Sequence, residues 1–193
     1  MNFLSLVGRI AYVMRGGFYR AAIIMSGGRC GPSLRVERGF RLRHGGHRGL
    51  SIGKSVYLGA GTVIDCPYPG TLSIGDNVTL THGVFISAAK SVTIGKDTLI
   101  GEYVSIRDAN HQIDISPVPI RQQPMLAQGC EIGSDVWIGR GCAILAGSQL
   151  QDGCVVGANS VVKGDVPRNA IVAGSQAKII RYRIKTPEPT NEK

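Results

Sequence analysis

The sequence predicts an all-β fold: a parallel β-helix built as a triangular prism of hexapeptide repeats, preceded by an N-terminal helical segment. Three observations point to it. Aliphatic residues recur every six positions at Ile132, Ile138, Ile144, Leu150, Val156 and Val162. A period of six fits neither a helix at about 3.6 nor an alternating strand at about 2. It is the period of a solenoid, in which each unit is a short strand plus a turn and stacked coils bury one continuous core. The same spacing recurs upstream in groups of three, Ile52-Leu58-Ile64, Ile74-Leu80-Ile86 and Ile94-Ile100-Ile106, separated by insertions. Three hexads per coil make a three-sided section with the insertions at one corner. Finally, glycine follows eight of the fifteen leading positions: Gly53, Gly59, Gly75, Gly95, Gly101, Gly133, Gly139 and Gly157. Glycine totals 27 of 193 residues, about twice the usual share, as corners that need positive φ would require. An aromatic share of 6% suits a narrow interior.

Residues 2–25 read as a helix, with Phe3, Leu6, Val7, Ile10, Met14 and Phe18 at mostly three- and four-residue spacings. Gly16-Gly17 predicts a kink or a division of it. The segment suits a cap on the open end of the solenoid. An interfacial helix on the inner membrane leaflet, with its arginines at the headgroups, is a compatible second reading. From Leu34 to Leu50 the pattern is ragged: Leu34, Phe40 and Ile52 keep a multiple of six, but Gly46 breaks the series. Residues 1–51 are therefore expected to be a basic helical segment and an irregular first coil, and residues 52–174 the regular prism. Within it, residues 112–126, with Pro117, Pro119 and Pro124, are expected to project as a loop. The repeat is expected to end after Val166-Pro167, leaving a last strand at Ile171–Gly174. Residues 175–193 are expected to form a C-terminal extension, with a strand or helix at 176–184 and a disordered tail at 186–193.

The net charge is +9, and residues 1–50 carry nine Arg, no Lys and one acid, Glu37. Such a segment suits anionic lipid, an anionic glycan or another subunit. No nucleic-acid motif accompanies it. No run of 18 apolar residues is present, so no membrane-spanning helix is expected. Arg9, Arg15 and Arg20 interrupt any signal-peptide pattern, and a cytoplasmic location is expected. Cys130, Cys142 and Cys154 lie twelve apart. Two hexads separate them, so they fall on different faces and suit small core positions better than a metal site.

His111 stands between the last regular hexad and the long loop, where an imidazole can act as a general base near neutral pH. Spacing alone leaves open a turn histidine that satisfies a backbone carbonyl. Trp137, the single tryptophan, is placed at a turn, lining a groove or a subunit contact. The adjoining Gly139-Arg140-Gly141 offers backbone N–H groups suited to a developing oxyanion.

The stretch from Ile106 to Arg181 resembles the hexapeptide-repeat acyltransferases, most closely the sugar O-acetyltransferases of lipopolysaccharide and polysaccharide synthesis. The matching pieces are Ser105-Ile106-Arg107-Asp108-Ala109-Asn110-His111, Val136-Trp137-Ile138-Gly139, Val156-Gly157-Ala158-Asn159-Ser160 and Lys178-Ile179-Ile180-Arg181. The left hand of the helix comes from this resemblance alone, since parallel crossovers are right-handed in about 98% of cases. The resemblance implies acetyl-CoA as acyl donor, no metal, direct transfer to a sugar or glycan acceptor, and a homotrimer with intersubunit active sites. It implies His111 as the base, with Asp108 or a backbone carbonyl holding its ring. The N–H groups of Gly139, Arg140 and Gly141 would receive the oxyanion. Thr81, Asn110 and Trp137 would contact the acceptor. Trp137, Arg140, Ala158, Lys163, Lys178 and Arg181 would contact the cofactor. Peripheral membrane association would suit a lipid-linked acceptor. A small diffusible acceptor and a non-enzymatic scaffold are the competing functions. A zinc site with three His ligands is disfavoured, because only His82 and His111 fall in the regular coils.

Overall fold

The computed structural model describes residues 3–184. The expected tail at 186–193 lies outside the described residues. Three parallel sheets form the sides of a triangular prism. The first face begins with Arg29–Cys30 and Leu50–Ile52, the second with Arg35–Val36 and Tyr57–Leu58, and the third with Arg41–Leu42 and Val63–Asp65. Each strand pairs with its counterpart one coil away, as in Ile94↔Ile74 and Ile94↔Ile132.

Two positions are buried in each hexad that runs on without an insertion. The leading residue and the residue four beyond it both point inward, as in Ile52 with Val56, Leu58 with Thr62, and Ile138 with Cys142. The five cysteines are free and buried. Burial pushes the Cys66 thiol up to about 11 and the Cys154 thiol up to about 12, so they behave as small apolar core residues.

The abundance of glycine has two causes. The residue three beyond the leading position takes positive φ all along the prism: Ser33, Ser55, Asn77, Asp97, Tyr103, Asp135, Asn159 and Asn169, with glycine in the remaining turns, such as Gly61 and Gly153. The glycine directly after the leading residue has a different duty. A Cβ on Gly95 would lie 2.5 Å from the Gly133 carbonyl carbon, and one on Gly101 would lie 2.7 Å from the Arg140 nitrogen. Those glycines let successive turns stack.

The prism begins earlier than expected, and at its far end the hexad register carries on into the expected last strand. Cys30, Val36 and Leu42 already lead three regular hexads, and Arg29↔Ser51, Arg35↔Tyr57 and Arg41↔Val63 pair in register. Leu34 and Phe40 are buried at the second inward position, so an offset of two residues made the first coil look irregular. At the other end Val166 and Val172 are leading residues, paired with Leu150 and Val156. The repeat thus continues past Val166, after a shortened corner at Gly164. The strand Lys178–Tyr182 then closes the second face, antiparallel to Ala170–Ala173.

Helix α1 (Phe3–Met25) lies across the open end. The first coil leaves an outer row of backbone groups without a strand partner, and the helix answers it with side chains. Arg15 Nε donates to Val36 O at 3.0 Å, Tyr19 Oη to Phe40 O at 3.2 Å and Arg20 Nε to Gly31 O at 3.1 Å. Ile23 is buried against the core, and Tyr19 packs edge-on to Phe40 with ring centroids 4.8 Å apart. The helix runs unbroken through Gly16-Gly17, so the pair does not divide it. Gly16 is there because a Cβ would lie within bonding range of Leu34 O, whereas Gly17 faces open space.

This difference is testable by thermal unfolding. Gly95→Ala lowers stability by roughly 1–3 kcal/mol, the range for overpacking a close contact. Gly17→Ala raises it by roughly 0.5–1 kcal/mol, because an exposed helical position gains from losing glycine. Equal effects of the two would contradict the stacking role of Gly95.

Candidate active site

The regular coil gives way after Ser105–Arg107 on the third face. Residues Ala109–His111 pair antiparallel with Met125–Ala127, making a ribbon that carries the chain out and back. A 3-10 turn at Ile120–Gln122 lies near its tip. The buried Gln123 side chain holds the excursion together, Nε2 donating to Asp114 O at 3.1 Å and Val118 O at 3.2 Å. Gln112 N–H donates to Pro124 O at 3.0 Å.

Asp108 fixes the foot of this arm. It is fully buried. Its carboxylate accepts from Ala89 N–H at 2.8 Å and from Lys90 and Ser91 N–H at 2.7 Å each. Its backbone carbonyl accepts from Gln128 N–H at 2.7 Å where the arm returns. The expectation that Asp108 orients His111 is therefore corrected: its carboxylate is committed to the 89–91 turn, and its role is to position the arm. His111 sits opposite Met125 in the ribbon, its side chain exposed. Asn110 pairs with Leu126. Because successive strand residues point to opposite faces, Asn110 and His111 do not share a side of the ribbon.

A groove of about 460 Å³ runs along the second face. Thr81, Trp137, Gly139, Arg140 and Ala158 line it, together with Leu99 and Glu102. Trp137 is not in a turn. It lies on a strand between Leu99 and Val155 and is 56% exposed. The Thr81 hydroxyl donates to Ile100 O at 3.0 Å.

Of the three N–H groups expected to receive an oxyanion, two are occupied. Gly139 N–H donates to Val156 O at 2.8 Å and Gly141 N–H to Glu102 O at 2.7 Å. Among the described residues only the Arg140 N–H of this turn takes no part in the backbone ladder. The hexad explains it: the residue two beyond a leading position has its N–H at the corner, off the strand ladder.

Lys178 and Arg181 are exposed on the strand that extends this same face, opposite Ala173 and Ile171. Lys163 is elsewhere. It borders a separate groove of about 340 Å³ with Leu145, Val161, Ser175, Gln176 and Ala177. The candidate residues thus form two groups. Thr81, Trp137, Arg140, Ala158, Lys178 and Arg181 belong to the second face and its corner with the third. His111, Asn110 and Lys163 follow third-face strands, at the corner with the first face. Leu99 and Glu102 were missed from sequence. Register would have found them, since Leu99 pairs with Trp137.

Comparison with known proteins agrees with this architecture. Residues 129–164 match the family model described as bacterial transferase hexapeptide (six repeats), and residues 49–88 match hexapeptide repeat of succinyl-transferase. A protein of Escherichia coli K12 named for O-acetyl transfer in lipopolysaccharide biosynthesis, WbbJ, is 36% identical over 139 residues, spanning 68% of this chain and 71% of that one. The galactoside O-acetyltransferase of the same organism is 31% identical over 59% of this chain and 55% of its own length. A hexapeptide-repeat-containing acetyltransferase of Vibrio cholerae O1 biovar eltor, solved with acetyl coenzyme A, superposes with a TM-score of 0.62 at 31% identity, covering 69% of this chain and 70% of that one. With its six-residue register, its three parallel faces and these matches, the chain belongs to the hexapeptide-repeat acetyltransferase family and has that family's left-handed parallel β-helix.

Proposed function

We propose that this protein is an acetyl-CoA-dependent O-acetyltransferase acting on a sugar hydroxyl of a cell-surface polysaccharide or its lipid-linked precursor. The observation that carries the reading is the second-face groove. Its floor is apolar, with Leu99, Ile100, Val155 and Val156. It spans strands from Thr79 to Val156, four coils or about 14 Å at the usual strand spacing. The same sheet continues to Lys178 and Arg181. A long apolar channel leading to cations suits a pantetheine arm that ends in phosphates. The lipopolysaccharide and galactoside relatives support a sugar acceptor, and the Vibrio cholerae structure supports acetyl-CoA as donor.

His111 takes the proton of the acceptor hydroxyl as that oxygen attacks the thioester carbonyl. The Arg140 N–H receives the carbonyl oxygen as negative charge develops on it. The C–S bond breaks, the departing thiolate takes the proton back from the His111 imidazolium, and the coenzyme leaves as its thiol. No residue carries the acetyl group in between. Trp137 walls the groove beside the thioester.

The two groups of candidate residues lie at different corners of one prism, so a complete site takes His111 from one copy and the groove from another. This supports a homotrimer with active sites between subunits. The arm favours such a contact: Ile113, Ile115, Val118, Ile120, Met125 and Leu126 are all exposed on it, an apolar surface suited to a neighbouring prism.

The reading is tested by free-thiol release from acetyl-CoA with a panel of sugar and glycolipid acceptors. His111→Ala lowers kcat by roughly 10²–10⁴-fold while preserving the assembly. Near-normal turnover by folded His111→Ala protein would sink the mechanism.

Lys178→Ala and Arg181→Ala raise KM for acetyl-CoA and leave kcat nearly unchanged, because a phosphate contact is made equally in ground and transition states. Unchanged KM in both would remove the cofactor from this face.

Asp108→Ala acts on stability, removing the buried carboxylate that the Ala89, Lys90 and Ser91 N–H groups share. A loss of roughly 2–4 kcal/mol is expected in denaturant unfolding, and a variant as stable as the parent would contradict the anchoring role.

A further inference from the structure

Helix α1 has two faces with different fates. Gly16 and Ile23 are buried against the first coil. On the opposite side Ile10, Val13, Met14, Phe18, Ile24 and Met25 are exposed, Met14 and Phe18 at 71% each. Their spacing by three, four and seven residues makes them one continuous stripe. The inner face closes on carbonyls at the open end of the solenoid. The stripe therefore faces away from the prism along its axis. An apolar stripe of this kind marks a contact with a protein or a membrane.

Charge distinguishes these. The first coil places Arg29, Arg35 and Arg41 at the same position of three successive hexads, one residue before Cys30, Val36 and Leu42. Each face of the prism thereby carries one arginine beside the helix. Arg38 adds a fourth at the corner between the second and third faces. All four are exposed, and none is among the ion pairs of the described residues. Arg35 also lies over the Tyr57 ring, 5.5 Å from its centroid. Glu37, the one acid of the first fifty residues, accepts from Ala60 N–H at 2.9 Å and is spent on the second coil. A cationic collar around an apolar stripe is complementary to an anionic bilayer. It is ill suited to a second copy of the same end, because two like-charged collars would meet.

We propose that the α1 end of the prism is a docking surface for an anionic lipid bilayer. The stripe enters the headgroup boundary and Arg29, Arg35, Arg38 and Arg41 meet lipid phosphates. The prism axis then stands up from the membrane. The arm bearing His111 leaves the fourth coil, about 14 Å beyond the first at the usual strand spacing. Under the acetyltransferase function proposed above, that height selects a glycan extending from its lipid carrier over the lipid headgroup itself. The docking does not depend on that function.

Vesicle sedimentation of the full chain tests the proposal. The protein is expected to pellet with mixed phosphatidylglycerol–phosphatidylcholine vesicles and not with pure phosphatidylcholine, less so as salt rises. Met14→Glu with Phe18→Glu abolishes pelleting. Replacing Arg29, Arg35, Arg38 and Arg41 by Gln weakens it on the order of 10²-fold or more, at roughly fivefold per arginine. Acetyl-CoA affinity by calorimetry is unchanged in both sets, because no substituted residue lines the groove. Equal pelleting with both vesicle types, no pelleting, or pelleting indifferent to the substitutions would overturn the proposal. So would a concentration-dependent rise in mass that Met14→Glu with Phe18→Glu removes, which would assign the stripe to a second copy. Wild-type protein that pellets but does not bind acetyl-CoA would defeat the acetyltransferase reading and leave the docking standing.

Discussion

Everything in this molecule depends on one coil lying directly on the next at strand spacing. The ladder that joins coils runs through all three faces, and at every corner it needs a backbone that turns sharply without a bulging side chain. Two devices meet that need. A left-handed residue three beyond most leading positions makes the bend, and glycine after many leading residues lets the neighbouring turn approach. The apolar residues fill the interior, but these corner residues permit the stack. The narrow interior that results has no room for a catalytic cavity, so chemistry must be built on the outside of the prism.

The chain builds outward in the places where the repeat is released. Its insertions all fall at the corner between the third and first faces, where the 66–70 and 88–90 turns and the 109–127 arm leave the stack. Asp108 makes the largest of them compatible with the coil beneath. Its carboxylate caps the 89–91 turn, and its carbonyl receives the returning chain at Gln128. A buried carboxylate with three backbone donors is costly to desolvate and rigid once satisfied, which suits the foot of a projecting arm.

The other face is left flat. Trp137, Leu99 and Val155 lie side by side in register, and the turn at Arg140 keeps an N–H off the ladder beside them. The division of the candidate residues between two corners follows from the six-residue repeat itself. Residues one hexad apart lie on adjacent faces, so the strand before the arm and the Gly139–Gly141 turn leave the stack at different corners.

From sequence alone the six-residue period determined the prism, its three faces, the corner of the insertions and the arm, because each leading aliphatic residue must reappear inside after one strand and one turn. It also picked out His111, Trp137 and Arg140 as outward residues near breaks or glycines. The phase of the first coil was not legible, because each hexad buries two positions and Leu34 and Phe40 imitate the leading ones. The unbroken helix was not legible either: the need for Gly16 comes from Leu34 O in another element. Asp108 beside His111 looked catalytic in one dimension, yet three N–H groups from the neighbouring coil had already claimed its carboxylate. The availability of an N–H or a carboxylate depends on what the adjacent coil donates or accepts, and only the stacked structure decides that.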